Sequence, residues 1–125
     1  MNLLLDTNIV LWVMSGSAKL PKAARREIER ADTVYVSAAS VWEISIKAAL
    51  GKLTVDLPRF VDALGEAGFL ALPISWQHAQ RASGLPHRHR NPFDRMLIAQ
   101  ALSEPLRLLT HDEQFAGYSE LVTCV

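Results

Sequence analysis

The chain contains 125 residues, of which 50% are hydrophobic and 21% are charged, a composition typical of a single globular domain spanning residues 1–125. Thirteen basic residues balance thirteen acidic ones, so nucleic-acid binding through a uniformly basic surface is excluded and any such contact requires a local patch. The single cysteine, Cys124, excludes both an intramolecular disulfide and a zinc site with several cysteine ligands.

The amino-terminal residues predict a short buried strand over residues 3–5, followed by an apolar helix over residues 9–14. A signal peptide is not predicted, because no basic segment precedes the three leucines and Asp6 follows them at once. No apolar run along the chain reaches the roughly 18 residues of a membrane-spanning helix. We therefore expect a cytoplasmic protein that does not contact a membrane.

The rest of the chain alternates short apolar runs with longer helical patterns. Proline at a first helical position, serine and asparagine caps, and glycine stops mark the helix boundaries. Helices are predicted over residues 21–30, 37–50, 58–66, 75–84 and 91–102, with a short helical turn ending at residue 115. Strands are predicted over residues 34–36, 69–73, 106–110 and 121–125, and a loop over residues 85–90. This alternation favours an α/β fold with a mainly parallel sheet covered on both faces.

Four acidic residues lie at or near the starts of predicted helices, namely Asp6, Glu43, Asp94 and Asp112. In a parallel α/β sheet most helix starts lie at the carboxyl edge of the strands, where such folds place their sites. If the fold brings the four together, two unit charges about 4 Å apart cost roughly 4 kcal/mol at an effective dielectric constant of 20. A bound cation would relieve this repulsion, and oxygen ligands without cysteine favour Mg²⁺ or Mn²⁺ over zinc.

A purely structural interpretation also accounts for each acid taken singly. Carboxylates in a first helical turn are stabilised by the helix dipole, by a few tenths of a kcal/mol to about 1 kcal/mol. Asp6 can cap a helix, and both Ser40 with Glu43 and Thr110 with Glu113 have the spacing of a capping box. Under this alternative the chain is a non-catalytic interaction domain. A further alternative uses the same carboxylates in a DNA nuclease or a metal-dependent phosphatase.

Four segments carry a resemblance to a known family: Leu-Asp-Thr-Asn at residues 5–8, the serine- and Trp-Glu-containing segment at 37–47 with Leu-Gly-Lys-Leu at 50–53, Asn-Pro-Phe-Asp-Arg within 90–101, and Leu-Leu-Thr-His-Asp at 108–112. Together they resemble the PIN-domain ribonucleases of the VapC type, the toxin half of a bacterial toxin–antitoxin pair. The resemblance implies a three-layer α/β/α PIN-like fold and a metal-dependent endoribonuclease. It also implies an RNA substrate, an antitoxin partner that blocks the site, and a homodimer.

The resemblance assigns the acidic site to Asp6, Glu43, Asp94 and Asp112. We expect Asp6 and Asp94 to be the main metal ligands, while Glu43 and Asp112 bind through water, hold a second ion or orient the attacking water. Hydrogen bonds to the carboxylates or to phosphate are expected from Thr7 and Thr110, for which a helix cap is the alternative. Many relatives have histidine where this chain has Asn8, and an asparagine there can still orient a carboxylate or a water. Relatives vary at the residue before the last acid, so His111 inherits no role.

Basic residues near the predicted acids are candidate RNA contacts. Lys47 lies one turn after Glu43 on the same helix face, where a surface ion pair is the alternative. Arg95 directly follows Asp94, where a pair with that acid is the alternative. The candidates for a path leading RNA to the site are Arg81, Arg88 and Arg90, accompanied by His87 and His89, with a solvated loop as the alternative.

The apolar surroundings of Trp12 and Trp42 predict that both rings pack in the core. The helix over residues 9–14 is apolar on nearly every side, which indicates a buried helix or a contact between subunits.

Overall fold

The computed structural model describes residues 1–86 and 91–125. Within these residues five strands form one sheet in the order β3-β2-β1-β4-β5, and all four neighbouring pairs are parallel. The strands are β1 (Asn2–Leu5), β2 (Thr33–Ser37), β3 (Leu70–Leu72), β4 (Arg107–Thr110) and β5 (Val122–Cys124). The predicted α/β class with a parallel sheet is therefore confirmed.

Helices connect β1 to β2, β2 to β3 and β3 to β4, as parallel pairing favours, and a 3₁₀ turn lies between β4 and β5. In the described part of the chain they are α1 (Thr7–Ser15), α2 (Lys22–Arg30), α3 (Ala38–Ala49), α4 (Leu57–Glu66), α5 (Trp76–Ser83) and α6 (Pro92–Ser103), with one 3₁₀ turn (Glu113–Phe115). Each predicted helix is confirmed to within a few residues. Most of the predicted loop over residues 85–90 lies outside the described residues, because the description stops at residue 86 and resumes at residue 91.

The run of three leucines in β1 is buried because helices cover both faces of the sheet. Leu3 and Leu5 belong to one hydrophobic cluster, to which α1, α2 and α4 contribute, and Leu4 belongs to a second cluster containing much of α6. Side chains along a strand point alternately to opposite faces, so one apolar run supplies both clusters. The arrangement of helix layer, sheet and helix layer is the expected three-layer architecture.

The prediction that Trp42 packs in the core is wrong, because 60% of this side chain is exposed. Its helix α3 buries Ala39, Ser40, Glu43 and Ile44 instead, and Trp42 lies on the opposite side of the helix. Trp12 is partly buried and packs against the cluster of Leu3 and Leu5. Helical periodicity places both rings on apolar segments but does not decide which side of a segment meets the sheet.

No helix within the described ranges, 1–86 and 91–125, is long and apolar enough to cross a lipid bilayer.

Candidate active site

The four predicted acids lie at or near the starts of helices. Asp6 follows β1 and is the N-cap of α1, while Asp112 follows β4 and is the N-cap of the 3₁₀ turn. Glu43 lies in the second turn of α3, which begins directly after β2, and Asp94 lies in the first turn of α6. The parallel topology thus brings segments from both ends of the chain to the carboxyl edge of the sheet, where α/β folds bind ligands.

Asp6 is held by hydrogen bonds to both carboxylate oxygens. The Thr7 backbone N–H donates to Oδ1 at 2.7 Å, and the Thr110 hydroxyl donates to Oδ2 at 2.8 Å. The same Thr110 oxygen accepts the Asp112 backbone N–H at 3.0 Å. The side chain of Thr110 is fully buried, so its hydroxyl links the ends of β1 and β4 and orients Asp6. This geometry agrees with the role that the sequence predicted for Thr110.

Glu43 is a buried acid with one free oxygen. Its side chain is 8% exposed, and Oε2 lies 3.3 Å from the Lys47 ammonium, one turn along α3. The other oxygen, Oε1, is buried and has no hydrogen-bond partner among residues 1–86 and 91–125. A buried carboxylate oxygen without a partner is costly, so it is a position where a cation or a bound water would be stabilising.

Asp94 lies where several negative charges act on one carboxyl group. The pKa of Asp94 is raised from 3.8 to about 7, with burial as the largest cause; the charges of Asp6, Glu43 and Asp112 also raise it, and Lys47 opposes them. The start of α6 is fixed by Asn91, whose side-chain oxygen accepts the backbone N–H groups of residues 93 and 94.

The pKa of Asp6 is affected by two of the same neighbouring charges. Burial raises the pKa of Asp6, the hydrogen bonds from Thr110 and Thr7 lower it, and the charges of Glu43 and Asp112 raise it. The charges of Glu43 and Asp112 therefore act on both Asp6 and Asp94. At neutral pH the group holds more negative charge than its buried surroundings favour, which a divalent cation would offset.

The donor set suits a hard cation that keeps much of its water. Within the described ranges no three histidine, cysteine or acidic side chains are placed closely enough to enclose a metal ion on their own. Mg²⁺ is commonly bound through one or two carboxylates, with water and substrate phosphate completing its shell. Oxygen-only donors, the free oxygen of Glu43 and the raised pKa of Asp94 all fit such an ion.

Helix capping explains some of the acids and not others. Asp6 accepts a backbone N–H at the start of α1, and Asp112 accepts the backbone N–H of Gln114 at 2.9 Å. Glu43 is not part of a capping box, because the N-cap of α3 is Ser37 rather than Ser40. The capping interpretation therefore leaves the burial of Glu43 without an explanation.

The remaining candidates near the acids differ in their surroundings. The Thr7 hydroxyl donates to the Ser40 hydroxyl at 3.0 Å, which ties α1 to α3 beneath the site. Asn8 is exposed in the first turn of α1. His111 is also exposed, and its ring contacts both the Val125 carbonyl and, edge to face, Trp12.

The structure does not support a substrate contact for Arg95. Its guanidinium donates to the carbonyl oxygens of Ala82, Leu85 and Pro86 at 2.7–3.0 Å. These carbonyls lie at and just beyond the end of α5, where helix carbonyls lack partners within the helix. Arg95 follows Asp94 in sequence, but successive helical residues point in directions about 100° apart.

The predicted RNA path is only partly described. Arg81 is exposed and lines a cavity between α5 and the carboxyl-terminal end of α6, which none of the four acids lines. Arg88 and Arg90, together with the neighbouring His87 and His89, lie outside the described residues.

A buried polar network behind the acids was not predicted from the sequence. Ser37, the cap of α3, donates to Gln100 at 2.6 Å, and Gln100 in turn donates to the Pro73 carbonyl at 3.2 Å. Gln100 also approaches His78, whose ring contacts Glu104 at 2.7 Å. The sequence signal for this network was Gln100 itself, a glutamine flanked by apolar residues in a predicted helix. A buried side-chain amide needs hydrogen-bond partners, so its position indicates a polar network.

Comparisons with known proteins agree with this architecture. The family description "PIN domain" matches residues 3–121. The chain is 28% identical over 118 residues to Ribonuclease VapC22 of Mycobacterium tuberculosis, a match covering 92% of this chain and 90% of that protein.

Solved structures are similar over nearly the whole chain. A toxin–antitoxin complex from Klebsiella pneumoniae matches with a TM-score of 0.71 and 24% identity, covering 97% of this chain and 95% of that one. VapBC2 from Rickettsia felis, bound to a DNA fragment from its promoter, matches with a TM-score of 0.72 and 16% identity, covering 100% and 98%. At these identities the likeness concerns the fold. With the family match spanning residues 3–121, the chain belongs to the PIN domain family.

Proposed function

We propose that the chain is a divalent-metal-dependent endoribonuclease that hydrolyses RNA phosphodiester bonds and acts as the toxin of a toxin–antitoxin pair. The observation that carries the proposal is the group of buried, mutually repelling carboxylates at the carboxyl edge of the sheet in a PIN domain. The similarity to a protein named as a ribonuclease, and to structures described as toxin–antitoxin complexes, supports the same conclusion.

The chemistry divides between the ion and the protein. A bound Mg²⁺ or Mn²⁺ supplies a water of lowered pKa and neutralises charge on the phosphoryl oxygens. Asp6, oriented by Thr110, and Asp94, at the start of α6, are the proposed principal ligands. The charge of Glu43 acts on both of these acids, and its Oε1, which no described residue hydrogen-bonds, can accept a proton from the attacking water. Asp112 adds negative charge that strengthens cation binding.

The partners follow from the same proposal. An RNA strand is the substrate, and a cognate antitoxin protein covers the site in the inactive complex. A homodimer is also proposed, with cytoplasmic location as the sequence predicted. The partly buried side chains of α1, including Leu11, Trp12 and Met14, provide apolar surface for a protein partner.

The first experiment compares RNA cleavage by the wild type and Asp94→Asn in Mg²⁺, in Mn²⁺ and in excess chelator. The substitution removes a proposed ligand while keeping the size of the side chain, so cleavage is expected to fall by at least about 100-fold. Circular dichroism should show an unchanged fold. The chelator should abolish wild-type cleavage.

The matched control is Asp62→Asn, which neutralises an exposed acid on α4. It should cleave RNA at the wild-type rate. Single-stranded DNA and a phosphate monoester, assayed in parallel, separate the ribonuclease from a DNA nuclease or phosphatase. Wild-type cleavage by Asp94→Asn, or equal cleavage of DNA, would contradict the proposed function.

A further inference from the structure

A cavity of about 500 Å³ adjoins the acidic site on the side of α3 and α6. Glu43 contributes to its wall, so the cavity is continuous with the proposed catalytic group. Its walls also include Lys47, Lys52, Pro92 and Phe93. We call it the lysine cavity. Its volume lies within the range of about 300–1,000 Å³ that is typical of small-ligand sites.

Two lysines face the lysine cavity because of the way α3 ends. Gly51 adopts a left-handed conformation with φ of 74°, which reverses the chain direction after the helix. The Lys52 backbone N–H then donates to the Lys47 carbonyl at 2.9 Å, which brings the two lysines to the same end of α3. Lys52 is exposed and has no ion-pair partner among residues 1–86 and 91–125.

The opposite wall carries an aromatic ring. Phe93 lies beside Asp94 in the first turn of α6, and the exposed Trp42 packs against it edge to face, with ring centroids 5.3 Å apart. Pro92 extends the apolar wall. Aromatic faces of this kind stack on nucleobases with little preference for sequence, and neighbouring cations bind the backbone phosphates.

We propose that the lysine cavity binds the nucleotide next to the cleaved phosphodiester, with its phosphate on Lys52 and Lys47 and its base against Phe93. This proposal rests on the proposed ribonuclease function, because Glu43 lies in the wall of the cavity and the cavity therefore adjoins the acids at which RNA would be cleaved. The combination of cationic and aromatic walls matches a nucleotide in charge and shape. Lys47 also contacts Glu43, so it links the subsite to the acids.

The test measures the affinity of a fluorescein-labelled single-stranded oligoribonucleotide by anisotropy, in the Asp94→Asn background so that binding is separated from cleavage. Adding Lys52→Gln should weaken binding about threefold to tenfold at low salt and reduce the slope of log affinity against log salt by about 0.7. Adding Phe93→Leu should weaken binding about tenfold without changing that slope.

Matched controls remove the same groups elsewhere. Lys22→Gln alters an exposed lysine on α2, and Trp76→Leu alters an aromatic side chain that is 94% exposed at the start of α5. Both should bind the oligoribonucleotide like their parent. Circular dichroism and thermal unfolding confirm that each variant is folded. If Lys52 acts only on the dipole of α3, its substitution will change stability and leave affinity unchanged.

The two proposals can fail separately. If Asp94→Asn alone reduces cleavage but Lys52→Gln and Phe93→Leu bind like the controls, the subsite is overturned and the ribonuclease function stands. If Asp94→Asn cleaves like the wild type, the catalytic assignment fails, and the affinity measured in excess chelator, where cleavage stops, still decides the subsite. No measurable binding of the oligoribonucleotide in any background overturns the subsite as well.

Discussion

At the scale of single residues, Asp94 shows how the fold changes the chemistry of a common side chain. Burial is the largest cause of its pKa of about 7, and three neighbouring acids add to the effect. At neutral pH a proton and a cation therefore compete for this carboxyl group. The same competition applies to Asp6, whose pKa is also raised, although two hydrogen bonds oppose the shift.

The raised pKa of Asp94 predicts how stability depends on pH in chelator. Between about pH 4 and about pH 7 the folded carboxyl keeps its proton while the unfolded one has lost it, so the folded state binds more protons. The free energy of unfolding should therefore fall as pH rises through this window and level off above it. Denaturant titrations of the wild type and Asp94→Asn check this expectation.

The variant should decline less steeply, because only Asp6 among the shifted site acids still titrates. Parallel stability curves for the wild type and Asp94→Asn would show that Asp94 titrates normally and that its surroundings are not those described.

At the scale of elements, the first turn of α6 both positions a site acid and joins the helix to α5. Asn91 caps the helix and Asp94 faces the acids, while Arg95 donates to three carbonyls at and beyond the end of α5. These hydrogen bonds join the first turn of α6 to the carboxyl-terminal end of α5. The start of α6, and with it Asp94, is thereby attached to α5.

The position of Arg95 predicts a loss of stability rather than of RNA affinity. Arg95→Gln removes charged hydrogen bonds to backbone carbonyls, so the free energy of unfolding should fall by about 1–3 kcal/mol. Arg25→Gln on the exposed part of α2 is the control and should change stability by less than about 0.5 kcal/mol. Denaturant unfolding measures both values.

The salt dependence of oligoribonucleotide binding distinguishes the two interpretations of Arg95. It should be the same for Arg95→Gln and Arg25→Gln if Arg95 has a structural role. A smaller salt slope for Arg95→Gln alone would instead restore the substrate contact that its place in the sequence suggested.

At the scale of the whole molecule, the acids draw on segments from both ends of the chain. The Thr110 hydroxyl reaches Asp6 across 104 residues of sequence, and the Thr7 hydroxyl reaches Ser40 across 33. A cation bound by these acids binds the folded state only, because the unfolded chain does not bring the acids together. Metal binding should therefore stabilise the entire fold.

The expected effect of metal is a higher unfolding temperature. At a free Mg²⁺ or Mn²⁺ concentration about 100 times its dissociation constant, linkage adds roughly 2.7 kcal/mol to the free energy of unfolding. Thermal unfolding with and without metal measures this gain. Asp62→Asn should keep the gain and Asp6→Asn should lose most of it. Equal gains in the two variants would place the ion elsewhere, and no gain in the wild type would contradict a metal site.

The strands and helices of this protein could be predicted from its sequence, through hydrophobic periodicity and capping residues. The buried leucines of β1, the serine cap of α3 and the Asn-Pro start of α6 act over a few residues, so their consequences could be predicted locally. The placement of acids at helix starts, within a parallel α/β pattern, was sufficient to predict one shared edge. The roles of the individual acids stay predictions.

Only the tertiary structure decided which side chains meet. In the folded chain Trp42 is exposed and contacts Phe93, and Arg95 donates to carbonyls at the end of α5. Ser37 donates to Gln100, which lies 63 residues away in sequence. The tertiary structure also gave Lys52 a place near Glu43 in the lysine cavity. Local sequence determines how a helix starts and which residues share its sides. The side that meets the sheet, and the neighbours it finds there, depend on packing between segments far apart in the chain.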